Sequence, residues 1–572
     1  MPRRNRVPIT KTKTFNGRED TLVMAMLYFC IGSKTVESVQ RPSSGKQGSS
    51  PASPGFPSWA FDLDKIDEIL TRIDQVDTSL LEGPFSVFPS RLPGLHQEVA
   101  LVQKQKNFDI PSLSLLSPVQ ELPWLTGHII YPGRQLTRRL FHHYISDVVH
   151  VLQPIMHSRN FYTTVYVPQA IMGGSSPCVN EISLPSHRAI FYSLLATAAF
   201  HVRGMVAASL EHSQQITQVA HACRVMAYRF LRTALASGFQ TDMEWLAILS
   251  TILSFVTIDV MEGSMSEYYL HLEAFQHLDL LGTRSKTDAP GSTSRMYLQT
   301  AFYLQLTLSE TTNFHLPGIP WPPNTGISTE LTNSLARNPA IDDHMLQHTY
   351  GLTHTLCSFI RAVTVLYRHR SYYLGLQQPL PVGLRKAVVT METKIKTWEI
   401  GSEMNLLSID DKSTTGVNMM RIMNLHLSAF HNAIQIYFIT HLSPSFNQSD
   451  PDNNTTAFSH DLPFLVEQVA ANLIEIEKMK REISALANRQ IAPIMWPGFI
   501  ASCESRLENR EVWLKWWGEM MDYHIGNVHL LWQTVQDVWR FRDEIQSRGQ
   551  LVHDIPLWRA YLAKSVRNIL PL

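Results

Sequence analysis

The string LHLSAFHNAIQIYFIT, Leu425 to Thr440, sets the fold class. Its apolar residues Leu425, Ala429, Ala433, Ile436 and Ile439 recur every three or four positions. That interval returns side chains to one face of an α-helix. The same spacing spreads outward in both directions. Upstream it is carried by Leu356, Ile360, Val363 and Tyr367, by Trp245, Leu249, Ile252 and Val256, and as far back as Leu136, Leu140, Tyr144 and Val148. Downstream it continues through Leu465, Val469, Leu473 and Ile476. Strand signals are scarce; FYTTVYV, Phe161–Val167, is the best and is isolated. No fixed period of the length used by solenoids repeats. From Gln135 onward the chain therefore reads as all-α, built of irregular helical hairpins.

Ahead of this body the pattern changes. Residues 1 to about 20 are polar and basic, with Arg3, Arg4, Arg6, Lys11, Lys13 and Arg18. Residues 41–58, RPSSGKQGSSPASPGFPS, form a Pro/Gly/Ser linker. An amphipathic helix is expected from Trp59, with Leu63, Ile66, Ile69, Leu70 and Ile73 on one face, ending before Gly83-Pro84. This divides the chain into a disordered tail and linker (1–58), a short helix and connector (59–130) and a helical domain (131–572).

Bulk chemistry narrows the function. Lys+Arg and Asp+Glu both number 49 in 572 residues, so a surface that coats nucleic acid throughout is excluded. Hydrophobic content of 44% with only 17% charged residues supports a large core. Five cysteines, Cys30, Cys178, Cys223, Cys357 and Cys503, lack CxxC spacing, which excludes a disulfide scaffold and a cysteine-rich zinc module. The apolar run Thr21–Gly32 is too short to span a bilayer, and no membrane partner is expected. Sequons at Asn447, Asn453 and Asn454 fall in a polar loop and carry no weight.

Catalytic signatures are missing. The sequence holds no dinucleotide fingerprint, P-loop, HExxH or nucleophile elbow, so an enzyme is not expected. Asp342-Asp343 lacks a third acid and reads as a helix N-cap. His143, Asp147 and His150 share a helix face at metal-compatible offsets, but Pro154 breaks the helix before His157, and pairing without metal is the simpler reading. Gly173-Gly174-Ser175-Ser176 reads as a connector rather than an anion loop. Cys223 and Cys357 sit on apolar faces as small hydrophobes. The tryptophans from Trp513 to Trp539 read as core packing, with an aromatic pocket as the functional alternative.

Several strings resemble the fungal-specific transcription factor family, in particular the arginine-metabolism-regulator type of binuclear zinc cluster protein. The strongest is PIMWPGFIASCES, Pro493–Ser505, which holds Trp496, Pro497, Phe499, Cys503 and Glu504. The second is AFHNAIQIYFIT, Ala429–Thr440, with Phe430, His431, Tyr437 and Phe438. A third is HHYISDVVHVLQPIMHSRNFYTTVYVP, His142–Pro168, and GPFSVF and SFVTIDVMEG follow the same family pattern. The resemblance implies a helical regulatory domain, a nuclear location, control of a metabolic or biosynthetic pathway, and partners among other transcription regulators or coactivators, as a homo- or heterodimer.

Family members carry a six-cysteine cluster holding two zinc ions. KTKTFNG, Lys11–Gly17, resembles its lead-in, but the next residues supply only Cys30. The resemblance therefore brings the regulatory domain without the DNA reader. Two zinc ions are expected only if the true N-terminus encodes six cysteines; otherwise no cofactor is expected. As written, DNA contact is indirect, or limited to the tail Arg3, Arg4, Arg6, Lys11 and Lys13, which reads as a nuclear import signal or a phosphate-contacting arm and equally as a plain solvated tail. The alternative reading is a helical interaction scaffold or ligand-binding protein with no direct DNA role.

Overall fold

The computed structural model describes residues 134–157, 160–174, 184–206, 210–238, 241–282, 292–312, 326–338, 340–403, 414–446, 462–487, 490–548, 556–565 and 567–572. The basic tail, the linker, the expected helix at Trp59, the Gly83-Pro84 stop and the sequons lie outside these residues. Among the described residues there is no strand.

Phe161–Val167, the best of the scarce strand signals, is helical, in keeping with the all-α reading. Tyr162–Tyr166 form a π-helical turn that runs into a helix at Val167–Gly174. The β-branched and aromatic composition that suggested a strand is satisfied differently here. Tyr162, Thr163, Val165, Tyr166 and Val167 are all buried, so the segment is covered on nearly every side and shows no amphipathic period. The Asn160 side chain starts the turn by accepting from the Tyr162 amide at 2.7 Å.

The elements run as follows. Helix α1 (Arg134–His143) continues through a π-turn (Tyr144–Val148) to Val149–Val151, and α2 is Val167–Gly174. Then come α3 (Pro185–Met205), α4 (Leu210–Ser237), α5 (Asp242–Glu262), α6 (Tyr268–Gly282) and α7 (Ser292–Thr312). A second run holds α8 (Ile327–Leu335), α9 (Asp343–Tyr350), α10 (His354–Gly375), α11 (Val382–Lys396) and α12 (Thr414–Phe446). The last run is α13 (Leu462–Ala487), α14 (Trp496–Glu504), α15 (Arg510–Met520), α16 (Gly526–Ser547) and α17 (Leu557–Ser565).

Local sequence explains the ends. Thr241 caps α5 by accepting from the Glu244 amide at 3.2 Å, and its hydroxyl donates to the Glu244 carboxylate at 3.4 Å. Gly263 closes the same helix in the left-handed region, φ 83°. A Cβ there would also lie 2.7 Å from the Gly526 carbonyl oxygen, so α5 and α16 meet through two glycines. Asp342 caps α9 through the Met345 amide at 2.6 Å, as its sequence position suggests. Gly351 ends that helix at φ 67°.

Packing centres on α3 and α5. Helix α3 lies against α4 and α5, and its Ser193, Ala196, Thr197, Ala198 and Ala199 let the backbones approach. The Ser254 hydroxyl donates to Ser193 at 2.8 Å across the α3–α5 contact. Helix α5 is long and apolar enough to cross a membrane, but every residue from Trp245 to Met261 is buried inside this protein. A helix surrounded on all sides has no polar face to present. A second centre forms where α12 packs against α13, α10 and α14. The two share one continuous core.

Candidate functional site

The two family-like strings meet in space. Helix α12 carries Phe430, Tyr437 and Phe438 into the core, and α14 begins at Trp496 with Pro497 in its first turn. Proline fits there because the first helical amides have no partner to lose. The Phe430 ring lies parallel to Trp496 with centroids 6.0 Å apart, and Tyr437 meets the same indole edge-on at 5.7 Å. The indole N–H donates to Thr311 at the end of α7, at 3.2 Å. Trp496 thus joins three helices by packing and one hydrogen bond.

Below it, buried polar groups form a satisfied network. Tyr437 accepts from Arg559 of α17 at 2.7 Å and shares a 3.0 Å bond with Thr364 of α10. Arg559 Nε also donates to His441 Nε2. A guanidinium stays protonated, so His441 Nε2 must accept and its proton sits on Nδ1, bonded to the Tyr437 carbonyl at 2.7 Å. Burial, reinforced by the Arg559 charge, holds the His441 pKa well below the usual range. The Arg559 guanidinium also lies 4.4 Å from the Tyr367 ring centre. This neutral histidine between arginines is fully buried and orders the core.

The other signature residues hold α14 in place. Arg542 of α16 donates to the Cys503 carbonyl at 2.6 Å and to the Ser505 carbonyl at 2.8 Å, and pairs with Glu504 at 2.9 Å. Glu504 therefore fixes the cation that caps the end of α14. Phe499 is fully buried against Trp558. His431 stands apart from the hub, half-buried, bonded to the Ile395 carbonyl at 2.8 Å beside Trp398.

The residues weighed for chemistry are accounted for structurally. His143 pairs with Asp147 at 3.1 Å and bonds His201 at 2.9 Å, so both ring nitrogens are engaged within protein. Asp343 pairs with Arg337 at 2.7 Å. Burial pushes the Cys223 and Cys357 thiols up to about 12 and holds Cys503 well above the usual thiol range, the opposite of an activated nucleophile. Among the described residues no group of three His, Cys, Asp or Glu side chains converges for a metal, and these three cysteines sit on separate helices. They do not fit a zinc cluster. Trp513, Trp516, Trp517, Trp532 and Trp539 form a continuous chain of ring contacts between α15 and α16, the packing role. The tail residues Arg3, Arg4, Arg6, Lys11 and Lys13 lie outside the described residues.

Sequence reasoning did not find Arg559, His441 or Arg542. Their signal, a charged or polar residue inside an apolar helical run, is shared by many surface residues.

Residues 139–570 match the fungal specific transcription factor domain. The chain belongs to this family. The fungal transcription factor domain thus covers nearly the whole helical body, and the aromatic hub and capped α14 lie inside it. The arginine metabolism regulation protein II of Saccharomyces cerevisiae is 20% identical over 487 residues, covering 72% of this chain and 53% of that protein. The chain spans about half the length of this curated relative. No solved structure matches.

Proposed function

We propose that this fungal transcription factor domain is the regulatory body of a nuclear regulator of a metabolic or biosynthetic pathway. The observation that carries the reading is the family match over residues 139–570. The arginine metabolism regulator among its relatives supports a metabolic target. The body acts by binding, without catalysis and without a resident cofactor. Its partners are other transcription regulators or coactivators, including a second copy or a related chain in a dimer. DNA contact comes through those partners, or through a zinc cluster if six cysteines are supplied ahead of the body. The organisation is a tail and linker over 1–58, a connector over 59–130 and the regulatory domain over 131–572. Trp496, Pro497, Phe499, Cys503, Glu504, Phe430, His431, Tyr437 and Phe438 serve as its structural signature. Arg3, Arg4, Arg6, Lys11 and Lys13 serve as the import signal.

The test is localisation together with transcript profiling. A fluorescent fusion of the full chain is expected to accumulate in the nucleus and to do so less when Arg3, Arg4 and Arg6 become Ala. Deleting the gene is expected to change transcripts of one pathway coherently. Cytoplasmic signal from both forms, with no coherent transcript change, would sink the reading.

A further inference from the structure

Behind Trp496 lies a cavity unrelated to the tryptophan chain of α15 and α16. One wall is Ala492–Trp496; the others come from the segment ending at Pro154, the Tyr162 turn, α5, α7, the end of α9, α12, the start of α16 and the last residues Pro571 and Leu572. Counting its mouth, it encloses about 680 Å³, through which the centre of a water-sized sphere can move over about 60 Å³. One water needs roughly 10–15 Å³ on that second measure, so the space suits a ring-sized molecule and not a nucleotide.

The lining is apolar, with Leu308, Val260 and Val528 among it, and contains no charged side chain. A charged ligand would lose its hydration with no charged side chain on the lining to replace it. Yet polar atoms are present. Asn527 is 1% exposed; its Nδ2 donates to the Leu570 carbonyl at 2.6 Å, but its Oδ1 has no hydrogen-bond partner among the described residues. The Tyr350 hydroxyl, also on the lining, is buried with no well-aligned hydrogen bond, although Tyr162 and Gln305 lie within its reach. Tyr162 lines the cavity beside it, and the buried hydroxyls of Tyr144 and Tyr166 stand close behind, near enough that Tyr162 raises the pKa of each. Native interiors rarely leave such atoms unpaired. Here an unused acceptor and a hydroxyl with no well-aligned bond belong to residues that line one largely apolar space.

We propose that this cavity binds an uncharged, ring-sized organic molecule bearing one acceptor and one N–H or O–H donor. Tyr350 Oη donates to the acceptor and Asn527 Oδ1 accepts from the donor. The walls come from segments far apart in sequence, so the ligand stabilises the arrangement in which they close on it. That this is the regulator's input rests on the proposed function; the binding itself does not.

The test uses the purified full chain with benzamide and δ-valerolactam as probes and toluene as the apolar control, followed by ligand-observed NMR and thermal unfolding. Both carbonyl probes are expected to bind saturably in the millimolar range and to raise Tm. Val528→Phe, which fills the cavity, abolishes binding while circular dichroism stays helical; Leu308→Phe replaces it if that variant does not fold. Tyr350→Phe weakens benzamide at least tenfold and leaves toluene unchanged. No saturable binding, or equal binding by the filled variant, would overturn the proposal and leave ordered water as the occupant. If binding holds but Val528→Phe leaves target transcripts unchanged, the regulatory reading fails and the site stands.

Discussion

Trp496 is where the family-like signature becomes physics. Its ring packs on Phe430 and Tyr437, and its N–H is bonded to Thr311. Trp496→Ala is expected to cost about 3–5 kcal/mol, read as a large drop in the urea midpoint. Two residues on, a Cβ at Gly498 would meet the Trp516 ring at 2.4 Å. Gly498→Ala is expected to cost about 1–3 kcal/mol through overpacking, although alanine is the better helix former. A stabilised Gly498→Ala protein would show that the α14–α15 contact yields. Buried histidines set the acid response. Burial, aided by His143, lowers His201 to about 3, and burial, aided by the Arg224 charge, lowers His271 to about 3. Between about pH 6.5 and 3 the unfolded chain therefore binds protons that the native state refuses. Stability is present above pH 6.5 and falls on acidification through this window, by about 1.4 kcal/mol per pH unit for each histidine. Urea midpoints measured from pH 7.5 to 5 should decline, and less steeply in His271→Phe.

At the scale of elements, α4 and α5 are tied by charge as well as by apolar contact. Arg224 pairs with Asp259 at 3.0 Å and with Glu262 at 2.6 Å, and Asp259 is 1% exposed. Such a pair adds little over an apolar substitute, but breaking it strands a buried charge. Arg224→Met is expected to cost about 3–5 kcal/mol. Adding Asp259→Asn to that variant should recover part of the loss; a double mutant no better than the single would place the damage in lost packing. The helical period predicted most of these elements because most have one dry and one wet face. It is silent at Phe161–Val167, where a π-turn is buried nearly all round and the polar residues that would mark a helix are missing. Caps were legible: Asp342 ends in the role its position suggested, because an N-cap depends on neighbours three residues away.

On the scale of the whole molecule, the last described residues act as a clasp. The Ile569 carbonyl accepts from Tyr268 of α6 and Thr312 of α7, and the Leu570 carbonyl from Asn527 of α16. Both side chains are fully buried. Removing residues 567–572 is expected to lower Tm and to open α6 and α7 to limited proteolysis; an unchanged digestion pattern would contradict this. The sequence by itself determined the all-α class, the family, the cap at Asp342 and the inert character of Cys223 and Cys357, because each is written in local spacing or in composition. Only the tertiary structure decided that Arg559 meets His441 and Tyr437, that Arg542 caps α14, and that Asn527 and Tyr350 face one cavity. Those pairings join residues up to 177 positions apart (Tyr350 and Asn527). Which distant helices touch is settled by filling the core, a constraint no local window of sequence contains.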